Sequence, residues 1–212
     1  NFTNNTASQR SGAVFFLKNG EVTNCNFINN TATFDGAVRM YSGSVEKCNF
    51  INNVATRGEG GAIYFAVNNG AVTNCTFVNN SALITGGAIF MISGSVSNCN
   101  FTGNTATRYG GAVYFYDEGS VSNCNFTGNN ATTGSAIYLY KGDSSDTLTV
   151  SNSTFLNDRA NAESLDVVKN DNNITITFTG QNNLLNAIYS REDAEVAFYN
   201  VTYWGANGIT TV

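Results

Sequence analysis

The chain has 212 residues, of which 42% are hydrophobic and only 12% are charged, and its formal net charge is −5. It contains no histidine, which excludes catalytic triads that use histidine, imidazole general bases and histidine metal ligands. The acidic balance disfavours nucleic acid as a partner, because phosphate binding needs clustered Lys and Arg, and no apolar run is long enough to span a membrane.

An internal repeat of about 25 residues organises most of the chain. Its clearest markers are five cysteines spaced 23, 27, 24 and 25 residues apart: Cys25, Cys48, Cys75, Cys99 and Cys124. Two residues after each cysteine comes a phenylalanine: Phe27, Phe50, Phe77, Phe101 and Phe126, a series that Phe2 and Phe155 extend. Three residues after each phenylalanine comes an asparagine, except after Phe155, where Asp158 stands: Asn5, Asn30, Asn53, Asn80, Asn104 and Asn129. A Gly-rich corner then leads into a short apolar run such as Gly60-Gly61-Ala62-Ile63-Tyr64-Phe65.

A repeat of this length, made of short β-branched and aromatic runs between Gly and Asn, predicts an all-β fold. Each repeat forms one coil of a right-handed parallel β-helix of roughly eight coils. We expect one domain over 1–212, with regular coils in 1–140 and degenerate coils and a C-terminal cap in 141–212. Within the latter, an inserted loop is expected at 141–146 and strands at 174–178, 195–199 and 201–204. Because the chain opens in mid-motif at Asn1, we expect it to be a fragment of a longer protein.

The stacking of coils explains the composition. Successive coils lie about 4.8 Å apart, so an inward Asn can bond to the backbone and to the Asn of the next coil, which accounts for part of the high asparagine content of 34 residues. The Asn24, Asn74, Asn98, Asn123 and Asn152 series forms a second candidate ladder. Cysteine and phenylalanine, two apart on one strand, both face the core. One thiol per coil favours stacked free thiols over a disulfide framework or a zinc site, although a disulfide between neighbouring coils is an alternative.

Alternation in the strand after the Gly-rich corner assigns its two faces. Aliphatic residues such as Val38 and Ile63 point inward, and the intervening positions form a candidate exposed, ligand-binding strip: Phe15, Arg39, Tyr41, Tyr64, Phe90, Tyr114, Tyr116, Tyr138 and Tyr140. A long exposed aromatic strip suits sugar rings, peptides or a partner surface. In the alternative interpretation, the rings support one another along the ladder and a loop or neighbouring domain covers them.

An enzyme of the lyase or hydrolase type would need converging carboxylates or a bound calcium ion. The acids instead fall at inequivalent positions, including Asp35, Glu59 and the turn Asp117-Glu118, which with Asp143 and Asp146 offers at most a weak cation site. We therefore predict no catalytic residue, no metal site and no cofactor, and keep a polysaccharide-active enzyme as an alternative.

The pairing of G-G-A-[IV] with F-x-x-N, at Gly60–Ile63 with Phe77–Asn80 and at Gly110–Val113 with Phe126–Asn129, resembles the passenger repeats of chlamydial polymorphic outer-membrane proteins. The longer C-x-F-x-x-N-x-A pattern and the Trp204–Asn207 stretch resemble even more the adhesin-like β-helix proteins of methanogenic archaea. The resemblance is strong over 1–140.

This resemblance implies an extracellular or cell-surface adhesin or stalk, without enzymatic activity. Its partner would be a glycan or protein on a host or neighbouring cell, with other copies of the chain as a further partner. A self-assembling fibre or sheath component is the alternative.

Overall fold

The computed structural model describes residues 1–140 and 147–156 in full, together with the backbone of seven strands between 165 and 211. Every regular element within these ranges is a β-strand. A coil contributes one strand to each of up to four sheets, which we name sheets A, B, C and D in the order in which the chain visits them.

Sheet A holds the strands that carry the repeated phenylalanine, with a final hairpin. They are Phe2–Thr3, Asn26–Ile28, Asn49–Ile51, Thr76–Val78, Asn100–Thr102, Asn125–Thr127, Thr154–Leu156, Asn182–Leu184, Val201–Gly205 and Gly208–Thr211. Sheet B is short: Thr6–Ala7, Thr31–Ala32, Val54–Ala55, Ser81–Ala82 and Thr105–Ala106.

Sheet C holds the strands that follow the Gly-rich corner. They are Val14–Phe15, Val38–Met40, Ile63–Phe65, Ile89–Met91, Val113–Phe115, Ile137–Leu139, Leu165–Val167 and Ile188–Ser190. Sheet D completes the coil: Gly20–Thr23, Gly43–Glu46, Gly70–Thr73, Gly94–Ser97, Gly119–Ser122, Thr147–Ser151, Thr175–Thr179 and Glu195–Phe198.

Neighbouring strands pair in parallel and in the register of the repeat, so that Phe27 pairs with Phe50 and Val45 with Val72. The hairpin of Val201–Gly205 with Gly208–Thr211 is antiparallel and forms the last edge of sheet A. Among the described residues, sheets C and D contain eight strands each, which agrees with the predicted number of roughly eight coils. About six of these coils are regular. The three late strands predicted from the sequence are confirmed to within a residue at each end, whereas the loop at 141–146 lies outside the described residues.

A column of phenylalanine rings fills the core along the axis. Seven rings, from Phe2 to Phe155, stack with centroids 4.8–5.0 Å apart and planes 3–4° from parallel. The six rings from Phe27 to Phe155, both included, are fully buried. Burial of each ring contributes about 1.5–3 kcal/mol, and the predicted column of stacked, buried phenylalanines is confirmed.

The five cysteines are free and form a second column. The Cys48 sulfur accepts a hydrogen bond from the Cys25 backbone at 3.4 Å, and Cys75 does the same for Cys48. The hydrogen bond with the Cys75 thiol, together with burial, raises the pKa of Cys48. Because all five are free and four of them are buried, the cysteines pack as small hydrophobic groups.

The buried asparagines form the predicted ladder from Asn5 to Asn129. The Asn53 side chain shows the pattern: its amide nitrogen donates to Asn80 Oδ1 and to the Phe27 carbonyl, each at 2.9 Å. Its amide oxygen accepts from both the backbone and the side chain of Asn30, at 3.0 and 2.9 Å. Each rung thus satisfies backbone groups at a corner where the strand ladder is interrupted.

Backbone geometry explains the other asparagines. The residue before a buried Asn is left-handed, for example Asn29 with φ of 54° and Asn52 with φ of 55°, a conformation that Asn tolerates better than most residues. The five asparagines predicted to form a second ladder occupy another left-handed corner, with φ between 47° and 55°, and the ladder itself stays a prediction: Asn24, Asn74, Asn98, Asn123 and Asn152. In the Gly-Gly corner, Gly60 is left-handed, and a Cβ on Gly87 would collide with the Gly111 carbonyl of the next coil.

We expect Asn53→Ala to lower the free energy of unfolding by about 3 kcal/mol or more. The substitution removes four buried hydrogen bonds and leaves the Asn30 backbone N–H without an acceptor. An unpaired buried donor costs roughly 1–3 kcal/mol, and each other lost bond costs about 0.5–1.5 kcal/mol. Urea denaturation measures the loss. The matched control is Asn49→Ala in the same coil, where an exposed amide donates to Asn26 at 2.8 Å; its expected loss is below about 1 kcal/mol. Equal losses would contradict a structural role for the buried ladder.

Candidate functional site

The outer face of sheet C carries one column of mostly aromatic side chains, which we name the aromatic column. Strand pairing places its members in register, in the order Phe15, Arg39, Tyr64, Phe90, Tyr114 and Tyr138. From Tyr64 to Tyr138 the rings stack with centroids 4.6–5.3 Å apart. The alternate residues, such as Val38 and Ile63, are fully buried in the core, so the predicted division of the strand into two faces is confirmed.

The predicted exposure of the strip is wrong at four positions. Arg39, Phe90, Tyr114 and Tyr138 are only 8%, 4%, 5% and 3% exposed. Tyr64 and Tyr140 are half-buried. Three members remain open to solvent, at 39–46% exposure: Phe15, Tyr41 and Tyr116.

The loops that join sheet B to sheet C run beside the column, and one of them packs on its later rings through Tyr109. We name these loops the corner loops, residues 8–11, 33–35, 56–60, 83–86, 107–110 and 132–134. The Tyr109 ring lies 4.6 Å from the Tyr138 ring, and isolated parallel bridges join Tyr109 to Thr85 and Thr133. Burial raises the pKa of Tyr114. Period-two alternation assigns the face of a strand but carries no information on a loop that packs on that face, so the sequence did not reveal this contact.

A recess of about 230 Å³ opens where the corner loops of the early coils meet the column. We name it the arginine recess. Its lining residues are Arg10, Phe34, Asp35, Arg39, Arg57, Gly58, Glu59, Tyr64 and Ile84. The sequence singled out only Arg39 and Tyr64 of these residues as part of a site, and it placed Asp35 and Glu59 at unrelated turn positions. Loop folding brings the two acids to one recess, because their loops belong to adjacent coils.

Arg39 forms the floor of the recess. Its Nη1 donates to Asp35 Oδ1 at 2.9 Å. The guanidinium carbon lies 4.3 Å from the centroid of the Tyr64 ring and 5.8 Å from that of Phe15, distances at which a cation is attracted to a ring face. Arg39 was expected to face solvent because an unpaired buried Arg is costly; it does point away from the core, but it is buried and paired with Asp35.

Two further arginines stand at the rim. Arg10 and Arg57 are both exposed, and the Arg10 guanidinium lies 6.0 Å from the exposed Phe34 ring. Burial raises the pKa of Asp35, and the positive charges of Arg39 and Arg10 oppose that rise. Burial also raises the pKa of Glu59. Three guanidinium groups therefore face two carboxyl groups whose ionised forms are disfavoured by their surroundings.

A second recess, of about 250 Å³, lies along sheet D and is lined by polar groups such as Asn69, Ser93, Glu118 and Thr149. Within the described ranges, no three His, Cys, Asp or Glu residues lie together so as to hold a metal ion. Asp143 and Asp146 lie outside those ranges. None of the described segments forms a helix that is long and apolar enough to cross a lipid bilayer.

A family model described as a right-handed β-helix region matches residues 1–126. The chain belongs to this right-handed β-helix family. The predicted fold class is thereby confirmed. Comparison with curated proteins and with solved structures gave no significant match. In a β-helix the inward side chains are committed to packing, so recognition falls to the outward side chains and loops. Here these are the arginine recess and the exposed rings of Phe15, Tyr41 and Tyr116.

We expect Tyr138→Ala to lower the free energy of unfolding by about 3 kcal/mol, the usual cost of removing a buried aromatic ring. Tyr116→Ala is the matched control, because Tyr116 is 39% exposed and its loss should be below about 1 kcal/mol. Both values come from urea denaturation. A large loss for Tyr116→Ala and none for Tyr138→Ala would show that the later rings of the column are not buried.

We expect Arg39→Met to lower the free energy of unfolding by about 3–5 kcal/mol near neutral pH, because it leaves the buried Asp35 carboxylate unpaired. The folded-state pKa of Asp35 is already raised, so protonation favours the folded state, and stability increases as the pH falls through that pKa. Losing Arg39 raises this pKa further, so part of the loss should return near pH 4.5 or so.

The control for this pH dependence is Asp35→Asn combined with Arg39→Met. It keeps Glu59 and the rest of the recess but has no carboxyl group at position 35. Urea denaturation at both pH values should show a clearly smaller recovery in the double variant, limited to the share of Glu59, whose pKa the Arg39 charge also lowers. Equal recovery in the two variants would assign the pH dependence to another group.

Proposed function

We propose that this chain is a non-enzymatic adhesin or stalk segment at a cell surface, outside the cell. It presents an elongated β-helix for attachment to a glycan or protein on a host or neighbouring cell. The observation that carries the proposal is the continuity of the inner ladders along the described coils.

The ladders support a role as a rod. Phenylalanine rings and buried amides repeat at the coil spacing from the first coil to Phe155. Each coil packs only against its two neighbours, so length is added by repetition without a change in the core. Such a β-helix holds an outward site at a fixed distance and direction from its ends, which is what attachment requires.

The variable exterior supports a role in recognition. The length of the corner loop differs from coil to coil, from three residues in 33–35 to five in 56–60. The strands on either side nevertheless keep their register. Side chains in these loops differ from coil to coil, for example Phe34, Ile84 and Tyr109. Loops on a rigid scaffold are a common place for binding residues.

The resemblance of the repeat to archaeal adhesin-like proteins and to chlamydial outer-membrane passengers supports the surface location. The low content of charged residues and the abundance of Asn, Thr and Ser agree with a polar, elongated surface protein. Glycans and cell-surface proteins are the partners that this resemblance implies.

The test combines the mass of the isolated chain in solution with its binding to surfaces. Light scattering after size exclusion should give a monomer, and the labelled chain should bind saturably to a cell panel or glycan array and release no sugar. The unfolded chain is the control for non-specific adhesion. Concentration-dependent filaments would instead support a fibre component, release of sugar would support an enzyme, and the absence of any binding would overturn attachment.

A further inference from the structure

We propose that the arginine recess binds one sugar ring that carries a carboxylate. This inference rests on the proposed function, since it names the chemical class that such an adhesin would recognise. It uses the recess formed by Arg10, Phe34, Asp35, Arg39, Arg57 and Glu59 and makes no use of the stacked core.

The recess concentrates positively charged side chains. The whole chain has 10 Lys and Arg residues and a net charge of −5, yet three arginines line one recess of about 230 Å³. Among the described residues, the ion pairs are Arg39 with Asp35 and Lys47 with Glu46. The rim arginines, Arg10 and Arg57, form neither, so their guanidinium groups are available to a carboxylate, which they can bind with two parallel hydrogen bonds.

Two buried polar atoms at the floor of the recess are unsatisfied. Arg39 Nε and Asp35 Oδ2 have no hydrogen-bond partner, although both residues are more than nine-tenths buried and line the recess. A buried polar atom without a partner is costly and points to a missing group. Both atoms have almost no accessible surface, so the Asp35–Arg39 pair must shift for a ligand to reach them. A hydroxyl group then answers both needs, because it accepts from a donor such as Nε and donates to an acceptor such as Oδ2.

Arg39 Nε and Asp35 Oδ2 together favour a sugar over a simple anion as the ligand. Sulfate or acetate can accept hydrogen bonds from arginine but has no proton to give to Asp35 Oδ2. A ligand with hydroxyl groups beside its negative charge fits both the rim and the floor. A neutral sugar would satisfy the floor alone and leave Arg10 and Arg57 facing solvent.

The shape and size of the recess suit one sugar ring. The recess is smaller than the roughly 300–1,000 Å³ of pockets that hold drug-sized ligands, so it fits a single ring. Phe34 is 45% exposed and offers a flat apolar surface, with Ile84 beside the same opening. The apolar face of a sugar ring can pack on such a surface while its polar edge meets the charged groups.

The experiment titrates the full 212-residue chain with D-glucuronate and follows binding by calorimetry and ligand-observed NMR. D-glucose, which lacks the carboxylate, and acetate, which lacks the ring, are the comparison probes. We expect glucuronate to bind at least tenfold more tightly than either, and more weakly as salt is added, because exposed charges are screened. Equal affinity for acetate would reduce the recess to an adventitious anion site, and equal affinity for glucose or no binding of glucuronate would also overturn the proposal.

The matched variants are Arg57→Gln and Arg108→Gln. Both arginines are exposed in corner loops, but only Arg57 lines the recess, so neither change should affect folding. Arg57→Gln should weaken glucuronate binding at least tenfold, and Arg108→Gln should leave it within twofold. Equal effects of the two variants would overturn the proposal.

Cell and glycan binding by the same variants separates this proposal from the proposed function. If the chain binds surfaces and Arg57→Gln binds them equally well, the recess proposal fails while the attachment function stands. If glucuronate binds in the recess but the chain binds no surface, the recess stands and the attachment function fails.

Discussion

A buried amide at one corner of each coil holds successive coils at the spacing of hydrogen-bonded strands. Each rung, such as Asn53 bonded to Asn80 at 2.9 Å, supplies partners to backbone groups that the corner would otherwise leave unsatisfied in the core. The ring column in the core has the same spacing. Phenyl rings 4.8–5.0 Å apart lie at the roughly 4.7–4.9 Å separation of neighbouring strands, so the amide ladder, the ring column and the sheets repeat together.

The same constraint leaves the exterior free. Because the ladder and the ring column set the register from inside, a corner loop can change length without disturbing the strands beside it. The loop at 33–35 has three residues and the next, 56–60, has five. The arginine recess lies at this change of length, where Asp35 and Arg39 of one coil meet Arg57 and Glu59 of the next. The recess thus coincides with a difference in loop length between two neighbouring repeats.

Inward positions could be predicted from the sequence, because one residue type recurs at one position of each coil. The fold class, the phenylalanine column and the buried asparagines were predicted in this way, and the structure confirms them. The fate of the outward side chains could not be predicted. The alternation that placed Tyr114 and Tyr138 outside the core was correct, but the loops that run beside them are irregular in length. The pairing of Asp35 with Arg39 was missed because a single acid in a turn resembles a solvated surface charge.

The most direct test of the account is native-state hydrogen exchange of the backbone amides of Asn30, Asn53, Asn80 and Asn104. Each donates to the side-chain oxygen of the next buried asparagine at 3.0 Å. If the amide ladder holds the coils together, these amides exchange only when the whole domain unfolds, with the same free energy as the amides of sheet A. Exchange as fast as that of the exposed corner loops would contradict the account.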